Sequence, residues 1–276
     1  MPDSRDDTAA RPIDAAALRA ALLAPAGGYA AVDVVASTGS TNADLRAAAD
    51  AGAADRTVLL AEEQTAGQGR RGRTWVSPPG AGIYLSVLLR PSGVPTQRVG
   101  SLSIVAGLAL LEVARSAGVD AVLKWPNDML ASGGKLAGVL SELVPDAGGP
   151  AVVVGIGLNV FALGDVPAGP GGLAAVSLAE SGARNPDRTA LAVSLLQALH
   201  VREAAWRAAG GDLSAAGLLD AYRQACATLG TTVRVLLPDG ELEGEAVDID
   251  AVGQLIVRKP DGSATTVFAG DVVHVR

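Results

Sequence analysis

Cysteine, histidine and lysine are nearly missing from this chain: one, two and three respectively in 276 residues. The lone thiol, Cys226, forbids an internal disulfide and suits a reducing compartment such as the cytoplasm. Flanked by Ala225 and Ala227, it reads as an inert core thiol rather than a nucleophile. His200 and His274 stand alone, with no Cys or His at ligand spacing, so no dedicated metal cluster is expected. Nor does any uninterrupted apolar run reach the roughly eighteen residues that a membrane span requires. The longest candidate, Ser101 to Leu111, is expected to be a buried helix closed by Glu112 and Arg115. The first dozen residues carry Asp3, Asp6 and Asp7 without an apolar core. That excludes a secretory signal and predicts a mobile N-terminus over residues 1–12.

Against these absences stands one concentration of charge. The formal net charge is −7, yet residues 64–111 hold five Arg and no Asp or Glu. Three of those arginines fall in Gly67-Gln68-Gly69-Arg70-Arg71-Gly72-Arg73. Glycine lets a backbone approach a ligand closely, so the string reads as a loop closing over a phosphate or another anion. An arbitrary basic cluster is more often a solvated turn, and this one needs support from elsewhere in the chain. The literal pattern G-x-G-x-x-G invites a dinucleotide reading, which requires a following helix and an acidic ribose partner about 20 residues on. The strand Thr57–Glu62 does precede it, but Thr74-Trp75-Val76-Ser77-Pro78-Pro79-Gly80 cannot open a helix and no carboxylate follows. The dinucleotide reading fails.

Lysine is a compact point charge not interchangeable with arginine, so the few retained lysines draw attention. Lys124 and Lys135 lie in Lys124-Trp125-Pro126-Asn127-Asp128 and Gly133-Gly134-Lys135-Leu136-Ala137-Gly138. Three of the four asparagines fall in similar strings: Ser40-Thr41-Asn42, the Asn127 string, and Gly155-Ile156-Gly157-Leu158-Asn159. In this order and spacing, S-T-N, GQGRRGRTW, KWPND, GGKLAGVLSE and GIGLNV resemble the biotin protein ligase family. The resemblance covers about residues 35–160, and the last fifty residues are similar to the family's small β-domain.

The expected fold is α/β (α+β): a mixed central sheet flanked by helices, of the class II synthetase and lipoate-ligase kind, with a small C-terminal SH3-like β-barrel. Residues 13–229 form the catalytic domain and 230–276 the barrel in this reading. Strands are expected at 32–35, 57–62, 83–89, 121–125, 136–143 and 152–160. Helices are expected at 13–24, from about Ala43, at 96–117, at 189–209 and at 213–229. Ser40 and Thr41 also suit a helix cap, so their type alone does not make them ligand contacts. After Gly230, five short β-rich runs separated by Pro238-Asp239-Gly240 and Pro260-Asp261-Gly262 indicate the barrel. Residues 13–24 are too short for the helix-turn-helix domain that some family members carry, so DNA binding is not expected.

The resemblance implies an ATP-dependent ligase that converts biotin to biotinyl-5'-AMP and then passes it to a lysine of a carboxylase's biotin carboxyl carrier domain. ATP and Mg²⁺ are implied with biotin as substrate; no base is needed for activation, because a carboxylate is already ionised near neutral pH. Lys135, Arg70 and Asp128 would be catalytic. Ser40, Thr41, Asn42, Gln64, Gly67, Gln68, Lys135 and Gly138 would bind biotin. Arg70, Arg71, Arg73, Trp75, Lys124, Asn127 and Asn159 would hold the nucleotide or adenylate. Lys124 also admits a structural role, pairing with Asp128. A lipoate or octanoate ligase on the same scaffold and a non-catalytic biotin-binding regulator are the competing readings. None of the three lysines has Met beside it, unlike a carrier's A-M-K-M, so the acceptor is expected to be a separate protein. A monomer or an adenylate-linked homodimer, acting in the cytoplasm away from membranes, fits the same picture. Relatives mostly carry Arg where this chain has Gln68, which predicts a looser hold on the intermediate. Calorimetric titration should show tighter biotin binding by Gln68→Arg; unchanged affinity would remove this role for position 68.

Overall fold

The computed structural model describes residues 11–25, 27–145, 150–168, 172–237, 240–268 and 271–274. Its first element is α1 (Ala15–Leu22), capped by Asp14, whose carboxylate accepts from the Ala16 and Ala17 amides. Of the N-terminus expected to be mobile, residues 1–10 lie outside the described residues. The following backbone is held, and so departs from that expectation: the Arg11 carbonyl accepts from Arg188 Nη2 at 2.7 Å, and the Ile13 amide donates to Glu62 Oε1 at 2.5 Å.

Strands β1 (Ala31–Val35), β2 (Thr57–Ala61), β3 (Gly82–Leu89), β4 (Ala121–Lys124), β5 (Asp128–Ala131), β6 (Gly134–Val144) and β7 (Ala151–Asn159) form one mixed sheet. Its order is β1-β2-β3-β7-β6-β5-β4, parallel between β1 and β2 and antiparallel elsewhere. Strand β5 was not anticipated. The tell-tale was Ser132-Gly133, which takes φ of 48° and 76° and closes a two-residue hairpin into β6.

The two faces of the sheet are covered unequally. Alternate residues of β7, Val152, Val154, Ile156 and Leu158, join the main core with α3 (Leu102–Ser116) and α4 (Arg188–Ala208). The other face receives only α2 (Thr41–Asp50), whose Leu45 and Ala49 pack on Leu88, Val144, Ala151 and Val153 in a small separate core. Helix α3 and the turn before it, Thr96–Ser116, are long and apolar enough to cross a membrane. They are instead the central core helix, with 72% of the apolar window buried against the sheet and α4.

The helix expected over 213–229 contracts to α5 (Leu219–Ala225). The chain leaves it because Cys226 pairs with the end of β4: the Ala227 amide donates to the Leu123 carbonyl at 2.8 Å. Five strands follow, β8 (Thr232–Leu237), β9 (Gly240–Ile249), β10 (Leu255–Arg258), β11 (Ala264–Val267) and β12 (Asp271–His274), as an antiparallel sheet in the order β11-β10-β9-β8-β12. This sheet is not set apart from the rest of the molecule. Val233, Val235, Ala246, Ile249, Leu255 and Val257 belong to the same continuous core as α3 and α4.

Trp206 of α4 anchors that core. It is fully buried, and its indole N–H donates to Ser101 Oγ at 2.8 Å where α3 begins. Trp206→Ala should cost about 3–5 kcal/mol, the range for deleting a buried aromatic, as read by urea unfolding.

Candidate active site

The unequal covering of the sheet leaves a hole. On the α2 side, β7 presents Gly155 and Gly157, β6 presents Gly138, and β3 presents Ser86; Gly155 stands opposite Ser86, and Gly157 opposite Gly138. Gly155 and Gly157 are required by what fills their place, and Gly138 is tightly packed. A Cβ at Gly155 would lie 2.2 Å from Asn42 Oδ1, and one at Gly157 would lie 2.4 Å from the Trp75 ring. At Gly138 it would come within 3.1 Å of Trp75 and 3.2 Å of Lys135. The result is a cavity of about 410 Å³ bounded by the start of α2, the glycine-arginine loop, β5, β6, β7 and residues within 163–168 and 173–175.

Most of the residues singled out from sequence meet here: Ser40, Thr41, Asn42, Gln64, Gln68, Arg70, Arg73, Trp75, Lys124, Asn127, Asp128, Lys135, Gly138 and Asn159 all line this cavity. Two do not. Gly67 is buried behind the loop, its carbonyl accepting from the Trp75 amide at 2.9 Å. Arg71 is turned away by its own backbone, at φ 57°, and donates to the Leu236 carbonyl of the C-terminal domain at 2.8 Å.

At one end the cavity is polar and buried. Helix α2 starts two residues earlier than expected, so Ser40 is its cap and Thr41 and Asn42 fall in its first turn. The Thr41 amide donates to Gln64 Oε1 at 3.0 Å, while Gln64 Nε2 donates to Ser77 Oγ at 3.1 Å, which fixes the Gln64 amide. The Asn42 carboxamide, expected to face the ligand, is engaged inside the protein. Its Nδ2 donates to the Leu140 carbonyl (3.2 Å) and Glu142 Oε2 (2.7 Å), and its Oδ1 accepts from Ser86 Oγ (2.6 Å). Ser86 carried no motif, and Glu142 closed the GGKLAGVLSE string without an assigned role; the β3–β7–β6 register brings both to Asn42.

The other end is cationic. Lys135 sits at the start of β6, its ammonium 2.6 Å from Asp128 Oδ1 and 5.4 Å from the centre of the Trp75 ring. Asp128 faces it because β5 and β6 form a tight hairpin. This is where Asp128 finds a cation. Lys124, for which Asp128 was the expected structural partner, reaches instead to the Val272 carbonyl of β12 at 2.8 Å. Arg70 Nη1 lies 3.4 Å from Asn127 Oδ1, and Asn127 Nδ2 donates to the Val139 carbonyl at 2.7 Å. Asn159 is 1% exposed; its Nδ2 donates to the Lys135 and Val176 carbonyls, and its Oδ1 has no partner among the described residues. A buried acceptor left open costs stability unless a ligand satisfies it. Among the described residues no three His, Cys, Asp or Glu side chains are grouped to hold a metal ion.

Five residues that went unnoticed in the sequence, Leu163, Val166, Pro167, Leu173 and Ala175, form an apolar wall. The site thus offers hydrogen bonds at one end, an aromatic and glycine-lined waist, and fixed positive charge at the other. Trp125 and Trp206 are buried, which makes the partly exposed Trp75 the indole that responds to changes here. Gly157→Ala should lift its ring and red-shift tryptophan emission, a shift absent when Trp75→Phe is combined with it.

Comparison with known proteins agrees with this geometry. Residues 34–159 match the biotin/lipoate A/B protein ligase family and residues 228–275 the biotin protein ligase C-terminal domain. The chain is 46% identical to the biotin–[acetyl-CoA-carboxylase] ligase of Mycobacterium tuberculosis, covering 96% of this chain and 97% of that one. It is 37% identical to the Paracoccus denitrificans enzyme of the same name, over 86% of this chain and all of the other. The biotin protein ligase of Aquifex aeolicus, solved with biotin and ATP, superposes with a TM-score of 0.74 at 26% identity, over 90% of this chain and all of that one. With that sheet, that cavity and these matches along nearly its whole length, the chain belongs to the biotin protein ligase family.

Proposed function

We propose that this protein activates biotin with ATP and then attaches it to a lysine of a carboxylase's biotin carboxyl carrier domain. The observation that carries the reading is the position of Lys135, at the cationic end of the cavity and beside Trp75 and Gly138. The names of the two relatives and the biotin and ATP in the Aquifex structure support the same substrates.

In the first step a biotin carboxylate oxygen attacks the α-phosphorus of ATP. The new O–P bond gives biotinyl-5'-AMP, and the bond to the β-phosphate breaks to release pyrophosphate. Both partners are anions, so the barrier falls when fixed positive charge lies between them. Lys135 and Arg70 supply it, Lys135 by exchanging part of its contact with Asp128 for the reacting oxygens. Thr41, Gln64 and Ser40 hold the ureido ring, Trp75 separates the biotin and nucleotide ends, and Asn159 Oδ1 takes a donor from the nucleotide. Mg²⁺ typically keeps several waters and binds through one or two protein oxygens plus phosphates. Asp128 and Asn127 fit that role without a three-carboxylate cluster, and the ion would neutralise polyphosphate charge. In the second step the carrier's neutral lysine nitrogen attacks the acyl carbon, an amide forms, and AMP leaves. Asp128, released from Lys135, is placed to accept the proton lost by that nitrogen. The enzyme would act in the cytoplasm, as a monomer or as a homodimer formed on the adenylate, without binding DNA or membranes.

The test is incubation with biotin, MgATP and a carrier domain, followed by streptavidin detection. Labelling should require ATP and the carrier's lysine, and a panel with lipoate and octanoate should give none. Lys135→Ala should lower the rate of biotin-dependent pyrophosphate exchange by about 10²–10³-fold, the cost of removing one charge-stabilising donor. Undiminished exchange would remove Lys135 from the reaction, and lipoate transfer without biotin transfer would reassign the substrate.

A further inference from the structure

We propose that Arg71 serves the reaction from outside the cavity: it ties the tip of the glycine-arginine loop to the C-terminal sheet and so holds Arg70 at the cationic end. This rests on the biotin and ATP reading above, and it gives a task to the arginine of that loop that turns away from the cavity.

Residues 67–75 form a hairpin braced along its legs. The Trp75 amide donates to the Gly67 carbonyl at 2.9 Å, Gln68 bridges to Thr74, and the Gly69 amide donates to the Arg73 carbonyl at 2.7 Å. Trp75 seats the returning leg on Gly157. The braces run within the hairpin, so they set its shape and not where its tip, Arg70–Gly72, is held. Arg71 supplies a contact outside it. Its backbone, at φ 57° and ψ 37°, is left-handed, which strains a residue that carries a Cβ. Glycine would make this turn without strain, so what arginine adds here is its side chain. While Arg70 and Arg73 line the cavity, Arg71 Nη2 donates to the Leu236 carbonyl of β8 at 2.8 Å.

The same ribbon holds the opposite wall. Where β8 pairs with β12, Leu236 stands opposite Asp271 and Val235 opposite Val272. Val272 lines the cavity, and its carbonyl accepts from Lys124 Nζ at 2.8 Å. Lys124 ends β4 and leads into Asn127 and Asp128. One end of one ribbon is thus gripped from the loop by Arg71 and from β4 by Lys124, which sets the loop and Asn127 at a fixed separation. Arg70 spans that separation, its Nη1 3.4 Å from Asn127 Oδ1. A contact of that length is a weak hold, so the place of Arg70 depends on where the tip is tied.

Biotin-dependent pyrophosphate exchange tests this. Arg71→Ala should lower kcat/KM for ATP by about three- to tenfold, the worth of one hydrogen bond. The KM for biotin should stay unchanged, because Thr41 and Gln64 form the polar end without the loop tip. The urea-unfolding midpoint should also stay, because Arg71 is exposed. Arg71→Lys should recover most of the loss, since a carbonyl needs one donor and not a planar fork. In an Arg70→Ala background Arg71→Ala should cost nothing further, whereas an Arg71 that touched ATP itself would cost the same with and without Arg70. An unchanged kcat/KM for ATP, an equal loss for biotin, a lowered unfolding midpoint, a loss independent of Arg70, or no recovery by lysine would overturn the tether. A wild type without biotin-dependent exchange would overturn the biotin reading alone. Calorimetric titration of the same variants with MgATP then decides the tether, with the same weakening and the same dependence on Arg70 expected; a wild type that binds no MgATP overturns both.

Discussion

On β7 every second residue faces the α2 side of the sheet, and from Ala151 to Asn159 that face reads Ala, Val, Gly, Gly, Asn. Its first half is filled by α2, and its second half has no side chains until Asn159. Everything at the site follows from that change of size along one strand. Asn42 can lie on the sheet only because Gly155 has no Cβ, and the indole of Trp75 can lie flat only over Gly157. The opposite face keeps Val152, Val154, Ile156 and Leu158, so the sheet stays anchored in the main core while its other face stays open. A close-packed interior tolerates few voids. This one persists because its walls are held by a main-chain ladder instead of by mutual side-chain packing.

Charge is distributed along the cavity in the same economical way. The cationic end holds Lys135 against Asp128, and Arg70 near the neutral oxygen of Asn127. Ion pairs that are part-buried but open to a cavity are exchangeable: the lysine is kept charged and oriented, yet its partner can be replaced by a ligand's oxygen atoms. The acid-rich remainder of the surface, at net charge −7, makes this end a local exception to the field around it.

How much of this was readable in advance depended on the kind of interaction. Lys135 and Trp75 stood out as scarce residue types in distinctive strings and Arg70 as part of a basic glycine-rich string, and the structure brings them to one cavity. Strands with clear β-rich runs were placed within a residue or two. What stayed hidden was set by register. Ser86 is an ordinary letter in β3, and Glu142 the unassigned end of a motif in β6, until the pairing of Ser86 with Gly155 and of Glu142 with Val153 puts them near Asn42. Arg71 sat inside the most suggestive string, but a positive φ at that one residue turns its side chain toward Leu236. The C-terminal end of the helical region was misplaced because a strand pairing at Cys226, invisible in local propensity, takes over from the helix.

The contacts that fasten the C-terminal domain over the cavity share a property. Arg71 ends on the Leu236 carbonyl, Lys124 on the Val272 carbonyl, and the Trp125 indole on the Gly253 carbonyl at 2.9 Å. All three acceptors are main-chain atoms, which every amino acid supplies. At these three points the catalytic domain grips its neighbour's backbone, while side chains join the two elsewhere, through the shared core and the Arg223–Asp248 pair. A substitution on the exposed face of the small domain therefore leaves these three acceptors in place.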